Sequence, residues 1–309
     1  MTKTKKIILI AVICVVAVAG ILAAVFMGDS EKIYDELNEK AQPAQVVDFA
    51  EKADGTVRVM TFNVRCTGLE NLPRKAREYA VAETIRKGMP DSFGVQEATS
   101  TWMKYLNEEI GDKYAYVGVG RSNGKTSGEY SAVFYLKDKY ELVDSDTFWI
   151  SETPEKPSKG WDAQIKRICT WAVLEDKETG EKYVHVNSHF DHKGEEARKN
   201  SVVMILDKVK EYADLPVVFT ADMNIVEGTE HYNSMVSDGA LRDTKYVAED
   251  TMDYLTFHNL NPAANEGRIL DYVMINDKFD AKVYKVVTAG VDGRFVSDHY
   301  PVYADLVMK

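Results

Sequence analysis

The chain has 309 residues, of which 45% are hydrophobic and 28% are charged, and its formal net charge is −11. This length allows one or two domains with a sizeable core, and the composition is ordinary for a globular protein. The acidic balance argues against a surface that coats nucleic acid, because such a surface is basic. It does not exclude an enzyme that meets phosphate through metal ions and a few local cations.

The N-terminus has the pattern of a membrane anchor. Lys3, Lys5 and Lys6 precede residues 7–27, a run of 21 uncharged residues that is long enough to span a bilayer as a helix. Lysines before such a span keep the N-terminus in the cytoplasm. We therefore expect residues 1–27 to be an uncleaved single-pass anchor in the cell membrane, with the remainder extracytoplasmic. A cleaved signal peptide is the alternative, although the end of the run is a poor cleavage site.

A polar stalk is expected at residues 28–54, followed by one catalytic domain at residues 55–309. Three of the 38 Lys and Arg residues precede the span, whereas all 49 acidic residues follow it, so the outer portion carries a net charge of −14. Cys66 and Cys169 lie in that portion and could form a disulfide or remain free thiols. We expect a monomer.

From residue 57, hydrophobic periodicity predicts alternating strands and helices and then several strands in succession. The predicted strands are 57–64, 91–96, 114–119, 130–136, 140–150, 167–175, 182–188, 215–220, 269–275, 281–288 and 302–308. The predicted helices are 74–87, 101–110, 194–212 and 229–237. Many strands with few helices, in two similar halves, favour two sheets packed face to face and flanked by helices.

Two polar side chains stand where the strand at 215–220 ends. Asp222 and Asn224 are one residue apart, so they point the same way as the chain leaves the core. The acid can accept a proton from water, and the amide can donate to a phosphoryl oxygen without carrying charge. Taken alone, the pair could equally be an Asx-rich turn.

Other strand ends carry matching residues, each with an ordinary explanation of its own. An Asn or Glu after a strand is commonly a turn former, and a lone buried Asp is commonly satisfied by backbone donors. The period of two puts His185, Asn187, His189 and Asp191 on one face, which could belong to a solvated loop or a zinc site. Their joint occurrence indicates one polar site, built from Asn63, Glu97, His189, Asp271, Asp298 and His299.

These motifs resemble the endonuclease/exonuclease/phosphatase superfamily, which has a deoxyribonuclease I-like fold. They follow the order of that superfamily and span residues 57–309. Leu is usual there in place of Met223 or Phe190, and Thr in place of Ser188, which are mild departures. The motifs are TFNVR (61–65), QE (96–97), NSHFDH (187–192), ADMN (221–224), ILDYV (269–273) and SDHYP (297–301), and the stretch 160–172 is similar to the bacterial branch near nocturnin.

The resemblance implies an α/β fold, a four-layer α/β/β/α sandwich of two packed mixed sheets, with these strand ends at one edge. It implies that Glu97 is the principal Mg²⁺ ligand, helped by Asn63 and Asp298, with Mn²⁺ as a possible substitute. Mg²⁺ prefers such hard oxygen ligands in an incomplete protein cage. The implied reaction is in-line hydrolysis of a phosphomonoester or phosphodiester.

The resemblance also assigns roles to the other polar residues. Asp222 would deprotonate the attacking water, and Asn224 would donate to phosphoryl oxygens. His299 and His189 would stabilise the transition state, and Asp271 would hold His299 in its donor tautomer and raise its pKa. The additional phosphate contact would come from Arg167.

The substrate stays open at this stage, because fold and core do not determine it. Nucleic acid, nucleotides, sugar phosphates and lipid head groups are all candidates. Trp149, Trp161 and Phe257 could line a pocket that stacks a base or a sugar, or could be core aromatics. Two other classes of function are alternatives: a catalytically silent binding module on the same fold, and a zinc protein that uses His185, His189 and His192.

Overall fold

Two mixed sheets dominate the fold in the computed structural model, which describes Lys32, Pro43 and residues 45–68, 74–260, 268–291 and 295–309. The strands are β1 (Val57–Asn63), β2 (Ser92–Gln96), β3 (Ala98–Thr99), β4 (Tyr114–Val117), β5 (Glu129–Tyr130), β6 (Val133–Leu136), β7 (Tyr140–Trp149), β8 (Ile168–Asp176), β9 (Lys182–His189), β10 (Val217–Asp222), β11 (Arg242–Asp243), β12 (Asp271–Ile275), β13 (Phe279–Val286) and β14 (Val302–Met308). The helices are α1 (Glu78–Gly88), α2 (Ser100–Ile110), α3 (Glu195–Glu211), α4 (Glu230–Ser237) and α5 (Thr244–Val247).

The two sheets have similar topologies. The first has the strand order β13-β14-β1-β2-β6-β4, and the second has the order β11-β12-β10-β9-β8-β7. In the first sheet β1 is parallel to β2 and antiparallel to β14. In the second, β10 is parallel to β9 and antiparallel to β12. In each sheet the carboxyl ends of two parallel strands therefore lie at the same edge. The first residues of a neighbouring antiparallel strand lie beside them.

The buried side chains form three clusters that correspond to the layers. Ile85 and Leu106, from α1 and α2, belong to the same cluster as Phe93 of the first sheet. On the other outer face, Ile205 of α3 and Phe219 of the second sheet share a cluster. A third cluster joins apolar side chains of the two sheets to each other. Helices thus cover both outer faces of the packed sheets, as predicted, since each face of a sheet must bury its apolar side.

Every predicted strand and helix has a counterpart within a few residues, with two differences of interest. The predicted strand at 130–136 is interrupted, because the carbonyl of Ala132 accepts hydrogen bonds from the Val95 N–H and the Asn187 side chain. The predicted helix at 74–87 begins as a 3-10 turn, Arg74–Arg77. The short elements β3, β5, β11 and α5 were not predicted, because two to four residues carry no usable periodicity.

The predicted anchor at residues 7–27 lies outside the described residues. Within the described part of the chain, no helix is long and apolar enough to cross a membrane. The last residues of the predicted stalk contact the domain. The N–H of Val47 donates to Oγ1 of Thr288 at 2.9 Å, and the ring of Phe49 packs against that of Tyr303.

A buried network of polar side chains lies between the two sheets, beneath the edge where the strands end. Nδ1 of His185 lies 2.7 Å from Oγ of Ser92, and its Nε2 lies 2.8 Å from Oγ1 of Thr220. Oδ1 of Asn187 accepts hydrogen bonds from Thr220 at 3.0 Å and from Nε2 of Gln96 at 2.7 Å. Most polar atoms of the network have partners, which limits the desolvation cost, but Oε1 of Gln96 has none among the described residues.

We predict that Gly94→Ala destabilises the fold strongly, because Gly94 faces this network. A Cβ at residue 94 would lie 2.3 Å from Oδ1 of Asn187 and 2.4 Å from Oγ1 of Thr220. The network cannot yield without losing its hydrogen bonds, so the free energy of unfolding should fall by about 2–4 kcal/mol in urea denaturation.

Gly55→Ala is the control for this prediction. An added Cβ there meets nothing within 4 Å, although the φ of +75° strains an alanine. That strain alone should cost about 1 kcal/mol. Equal losses in the two variants would mean that the clash at Gly94 is relieved without cost.

Candidate active site

Side chains from both sheets meet in a cleft of about 420 Å³ at the edge where β1, β2, β9 and β10 end. The structure brings the predicted residues together there. The predicted residues that line the cleft are Glu97, Arg167, His189, Asp222, Asn224, Asp298 and His299. The other two, Asn63 and Asp271, are buried and hydrogen-bonded to cleft residues.

Asp222 is the centre of this arrangement and is only 2% exposed. Its Oδ2 accepts a hydrogen bond from Nδ2 of Asn63 at 2.9 Å, and its Oδ1 accepts one from the backbone N–H of Asn224 at 3.0 Å. Oδ2 also lies 3.4 Å from Nε2 of His189 and 3.9 Å from Nε2 of His299. A carboxylate fixed by donors in this way is positioned to accept a proton from a water molecule in the cleft.

The His299 ring contacts Asp271, the pair that the superfamily resemblance implies. Nδ1 of His299 lies 2.8 Å from Oδ2 of Asp271, so the ring turns Nε2 towards Asp222. Burial alone would lower the pKa of His299, but the negative charges of Asp271, Asp222 and Asp298 raise it well above its usual value. His299 is therefore a buried cation beside the proton acceptor.

Burial raises the pKa of Asp222 above that of an ordinary carboxyl group, and the positive charge of His299 opposes this shift. The two groups share one buried electrostatic environment, in which each charge stabilises the other. A raised pKa makes Asp222 a stronger base than a solvated aspartate, which suits the removal of a proton from water near neutral pH.

Asn224 and His189 form a second pair on the other side of Asp222. Nδ2 of Asn224 lies 3.0 Å from Nε2 of His189 and 3.2 Å from the carbonyl oxygen of Phe190. Burial and the nearby guanidinium groups of Arg167 and Arg121 lower the pKa of His189 well below its usual value. The ring is therefore neutral, so His189 contributes hydrogen bonding rather than positive charge.

Glu97 turns into the cleft through an unusual backbone conformation. Its φ is +62°, and the φ of Asn224 is +49° and that of Arg65 is +53°, all in the left-handed region that non-glycine residues rarely adopt. Such outliers cluster at functional sites because the surrounding structure holds side chains where the chemistry needs them. The three residues all line the same cleft.

The Glu97 carboxylate is held in place by hydrogen-bond donors and is a ligand that suits a hard divalent cation. Oε2 of Glu97 accepts a hydrogen bond from the Cys66 N–H at 2.9 Å, and Oε1 lies 3.2 Å from Nδ2 of Asn63. Burial alone would raise the pKa of Glu97, but the Cys66 N–H and the charge of His299 lower it, so the carboxylate is ionised. Ionised carboxylate and amide groups are the ligand types that Mg²⁺ prefers.

The other predicted ligands have partners of their own. Oδ1 of Asn63 accepts a hydrogen bond from the Arg65 N–H at 2.9 Å, and the Asp298 carboxylate forms an ion pair with the Arg65 guanidinium group. Asp222, Asp271 and His299 also place one ligand atom each within 4.8 Å of one another and could hold a cation. Asp271 and His299 are already hydrogen-bonded to each other, which leaves fewer free ligand atoms in this cluster.

Arg167 offers unused donors to the cleft. The side chain is 4% exposed, its Nη2 lies 3.2 Å from Nδ1 of His192, and its Nε lies 3.5 Å from Oδ2 of Asp191. Within the described residues, its Nε and Nη1 have no hydrogen-bond partner. Buried guanidinium donors without partners are costly unless a ligand satisfies them, and a phosphate oxygen is the natural ligand for them.

Several lining residues were missed by the sequence analysis. Glu129 on β5 pairs with Arg121 at 2.7 Å, and burial raises its pKa. Arg65, Arg268 and His192 also line the cleft. Arg65 lies two residues after Asn63 in the TFNVR motif, and His192 ends the NSHFDH motif, so a signal was available for these two. Glu129 and Arg268 lie outside the motifs.

The predicted aromatic pocket is not a single feature of the structure. Phe257 lines the cleft and packs against the His299 ring, whereas Trp149 lines a separate groove and Trp161 packs with the cluster under α3.

The alternative zinc site is wrong, because His185 is enclosed between the sheets, away from His189. Cys66 and Cys169 are free thiols.

Comparisons with known proteins give matches among solved structures. No protein-family model matches the chain, and no curated protein matches it. A mannosyl-6-phosphatase of Bacteroides thetaiotaomicron VPI-5482, Bt3783, is 34% identical with a TM-score of 0.77, over 82% of this chain and 100% of that one. An endonuclease/exonuclease/phosphatase from Bacteroides vulgatus is 34% identical with a TM-score of 0.78, over 82% and 99%. An endonuclease/exonuclease/phosphatase family protein from B. thetaiotaomicron is 33% identical, with a TM-score of 0.77, over 84% and 100%.

Proposed function

The chain belongs to the endonuclease/exonuclease/phosphatase family, and from that premise we propose that it is a metal-dependent phosphoester hydrolase in which Asp222 activates the attacking water. One observation carries the proposal. A buried carboxylate with a raised pKa, a charged histidine and unsatisfied arginine donors converge on one cleft beside an ionised Glu97. Acid, base and phosphate-binding groups in such proximity suit in-line hydrolysis.

The chain's own residues account for most of the proposed steps. Asp222 accepts the proton of the attacking water while Asn63 and Asn224 hold its carboxylate in place. Asn224 donates to a phosphoryl oxygen from the same side. His299, charged and oriented by Asp271, stabilises the negative charge that develops in the transition state and can protonate the leaving oxygen.

Arg167 and His189 complete the anion-binding side of the cleft. The free Nη1 of Arg167 binds a non-bridging phosphate oxygen, and neutral His189 adds a hydrogen bond. Glu97 would hold Mg²⁺ or Mn²⁺, with help from Asn63 and Asp298, and the bound cation would neutralise phosphate charge. The catalytically silent binding module is the second candidate, and the presence of Glu97, Asp222 and His299 together in the cleft counts against it.

We propose a sugar phosphate monoester as the substrate class. Bt3783, a mannosyl-6-phosphatase, is 34% identical and is matched over its whole length. A cleft of about 420 Å³ has room for a phosphate and one sugar ring. The net charge of −11 disfavours long nucleic acid as a substrate, because a polyanion is repelled by an acidic protein.

We also propose that the enzyme is a monomer held at the cell membrane by residues 1–27, with a polar stalk at 28–54 and its catalytic domain at 55–309 outside. This proposal rests on the uncharged run and its three preceding lysines alone. Protease added to intact cells should remove a C-terminal tag while leaving the protein in the membrane fraction. A tag that is protected until the cells are opened would contradict this orientation.

The proposed activity can be tested by incubating the full-length protein with Mg²⁺, Mn²⁺ or EDTA and a panel of phosphate esters. The panel holds mannose 6-phosphate, glucose 6-phosphate, p-nitrophenyl phosphate, bis-p-nitrophenyl phosphate, DNA, RNA and sphingomyelin. We expect metal-dependent release of phosphate, fastest from the sugar phosphates. Faster hydrolysis of a diester would reject the substrate class, and no turnover on any ester would favour the binding module.

A further inference from the structure

A second and larger groove lies beside the catalytic cleft. Its volume is about 780 Å³, and it runs between the ends of β4 and β7, the outermost strands of the two sheets. It shares no lining residue with the catalytic cleft in the described part of the chain. The reaction proposed above does not use it. Its lining residues are Val117, Gly118, Val119, Asn123, Gly124, Ser145, Asp146, Thr147, Phe148, Trp149, Pro154, Glu155 and Pro157.

One hairpin, residues 118–128, separates the groove from the cleft. The side chain of Arg121 pairs with Glu129 in the cleft wall, while its carbonyl oxygen accepts a hydrogen bond from Nε1 of Trp149 in the groove wall at 2.7 Å. Lys166 donates to the carbonyl oxygen of Ser122 at 3.0 Å, next to Ile165 of the cleft. The cleft and the groove therefore lie on the two sides of one hairpin.

The groove wall allows close approach of a ligand to the backbone. Gly118 has a φ of +127° and Gly124 a φ of +69°, conformations that L side chains rarely adopt. A Cβ on Gly124 would lie 3.0 Å from the Trp149 ring, and one on Gly118 would lie 3.1 Å from Cα of Ala132. Gly124 therefore leaves space in the groove wall beside the fixed Trp149 ring, whereas Gly118 permits close packing against Ala132.

The catalytic cleft and the groove differ in the charge of the residues that line them. The catalytic cleft is lined by Arg65, Arg167 and Arg268, which suit a phosphate. No basic residue lines the groove in the described chain, and its charged residues are the exposed acids Asp146 and Glu155, of which Glu155 lies 3.6 Å from Nζ of the neighbouring Lys156. An acidic groove repels a phosphodiester backbone, whereas carboxylate, amide and hydroxyl groups accept hydrogen bonds from the hydroxyl groups of an uncharged sugar.

We propose that the groove binds the uncharged sugar residues of a phosphorylated glycan whose terminal phosphate occupies the catalytic cleft. This inference rests on the proposed sugar phosphatase activity and extends it from a single sugar to an oligosaccharide. Asp146 and Glu155 accept hydrogen bonds from sugar hydroxyl groups, and the half-buried Phe148 and Pro154 and the exposed Pro157 supply apolar surface for one face of a sugar ring. The groove makes substrate length a determinant of specificity.

The test compares substrates of increasing length with the full-length protein. The probes are mannose 6-phosphate, mannotriose with a terminal 6-phosphate, and the matching glucose and maltotriose phosphates. We expect kcat/KM for the better trisaccharide to exceed that for its monosaccharide at least 10-fold. The double variant Asp146→Lys/Glu155→Lys should reduce that gain below 2-fold and leave the monosaccharide phosphate unchanged.

Asp144→Lys is the matched control. Asp144 and Asp146 are exposed on the same strand, and each accepts a hydrogen bond from the next backbone N–H, but Asp144 does not line the groove. This variant should keep the full gain with length. Loss of the gain in Asp144→Lys would show a general charge effect and would overturn the proposal.

Binding of unphosphorylated mannotriose and maltotriose, followed by tryptophan fluorescence, separates the two proposals. Binding that the double variant loses supports the groove even where no phosphate ester is hydrolysed, an outcome in which only the hydrolase proposal fails. Hydrolysis of sugar phosphates without dependence on length, together with no binding of either trisaccharide, overturns the groove proposal alone. Binding of an oligonucleotide in the groove instead of a glycan would also overturn it.

Discussion

Replacing Asp222 by asparagine is expected to lower kcat for phosphate ester hydrolysis by on the order of 10³- to 10⁴-fold, with a much smaller change in KM. In the proposed mechanism the carboxylate accepts the proton of the attacking water, and an amide cannot accept it. The nearest side chains are poor substitutes as bases: Asn63 is a donor, His299 is already charged, and burial and nearby guanidinium groups lower the pKa of His189 well below its usual value. Steady-state kinetics with mannose 6-phosphate give both constants.

The same substitution should leave the fold intact. Both oxygens of Asp222 accept hydrogen bonds, so an amide places one N–H₂ against a donor at a cost of about 1 kcal/mol. Loss of a buried negative charge offsets part of that cost. Asp243→Asn is the control, because Asp243 is also buried, and burial raises its pKa to about 6. It accepts hydrogen bonds from Lys245 N and Tyr232 far from the cleft. Full activity in Asp222→Asn would refute the assigned base.

Glu97→Gln is expected to weaken Mn²⁺ binding by at least about 100-fold, more than the loss from an outer-shell partner of a metal ligand. The substitution keeps the shape of the side chain but removes an ionised carboxylate that, unlike those of Glu129 and Asp298, no arginine or lysine pairs with among the described residues. Titration calorimetry with Mn²⁺ measures this without substrate. Activity should fall by at least the same factor when Mg²⁺ is limiting.

Glu129→Gln provides the comparison for Glu97. Glu129 lines the same cleft, but its carboxylate is held by Arg121 at 2.7 Å. Its loss should change Mn²⁺ affinity less than 10-fold, since the carboxylate is already neutralised. Equal weakening in the two variants would mean that the cation lies between the two glutamates and not at Glu97.

The positions of the catalytic candidates could be predicted because the end of an apolar run in the sequence marks where a strand ends. A strand ends where its apolar run ends, and parallel strands deliver their carboxyl ends to one edge of a sheet. Asp222 and Glu97 therefore could be placed from the sequence without knowledge of their neighbours. The pairing of His299 with Asp271 followed from the superfamily resemblance, and the structure places their side chains 2.8 Å apart.

The other lining residues and contacts of the site could not be predicted, because they depend on residues that are far apart in the sequence. Glu129 enters the cleft because two residues, β5, pair with β3 directly after Glu97. The interruption at Ala132 requires the side chain of Asn187, 55 residues away in the chain. The ion pair between Arg65 and Asp298 spans 233 residues. The packing of the two sheets brings these partners together, so they can be identified only from the three-dimensional structure.

The catalytic groups come from both sheets, and hydrogen bonds between Asn63 and Asp222 and between Asp271 and His299 join the two sets. Neither half of the sandwich holds a complete catalytic apparatus. The proposed catalysis therefore depends on how the two sheets are aligned with each other. A small shift of one sheet relative to the other would separate the proposed acid, His299, from the proposed base, Asp222, while each sheet stayed folded. In the proposed mechanism, substitution of an apolar side chain in the shared core, far from the cleft, should therefore affect turnover as well as folding.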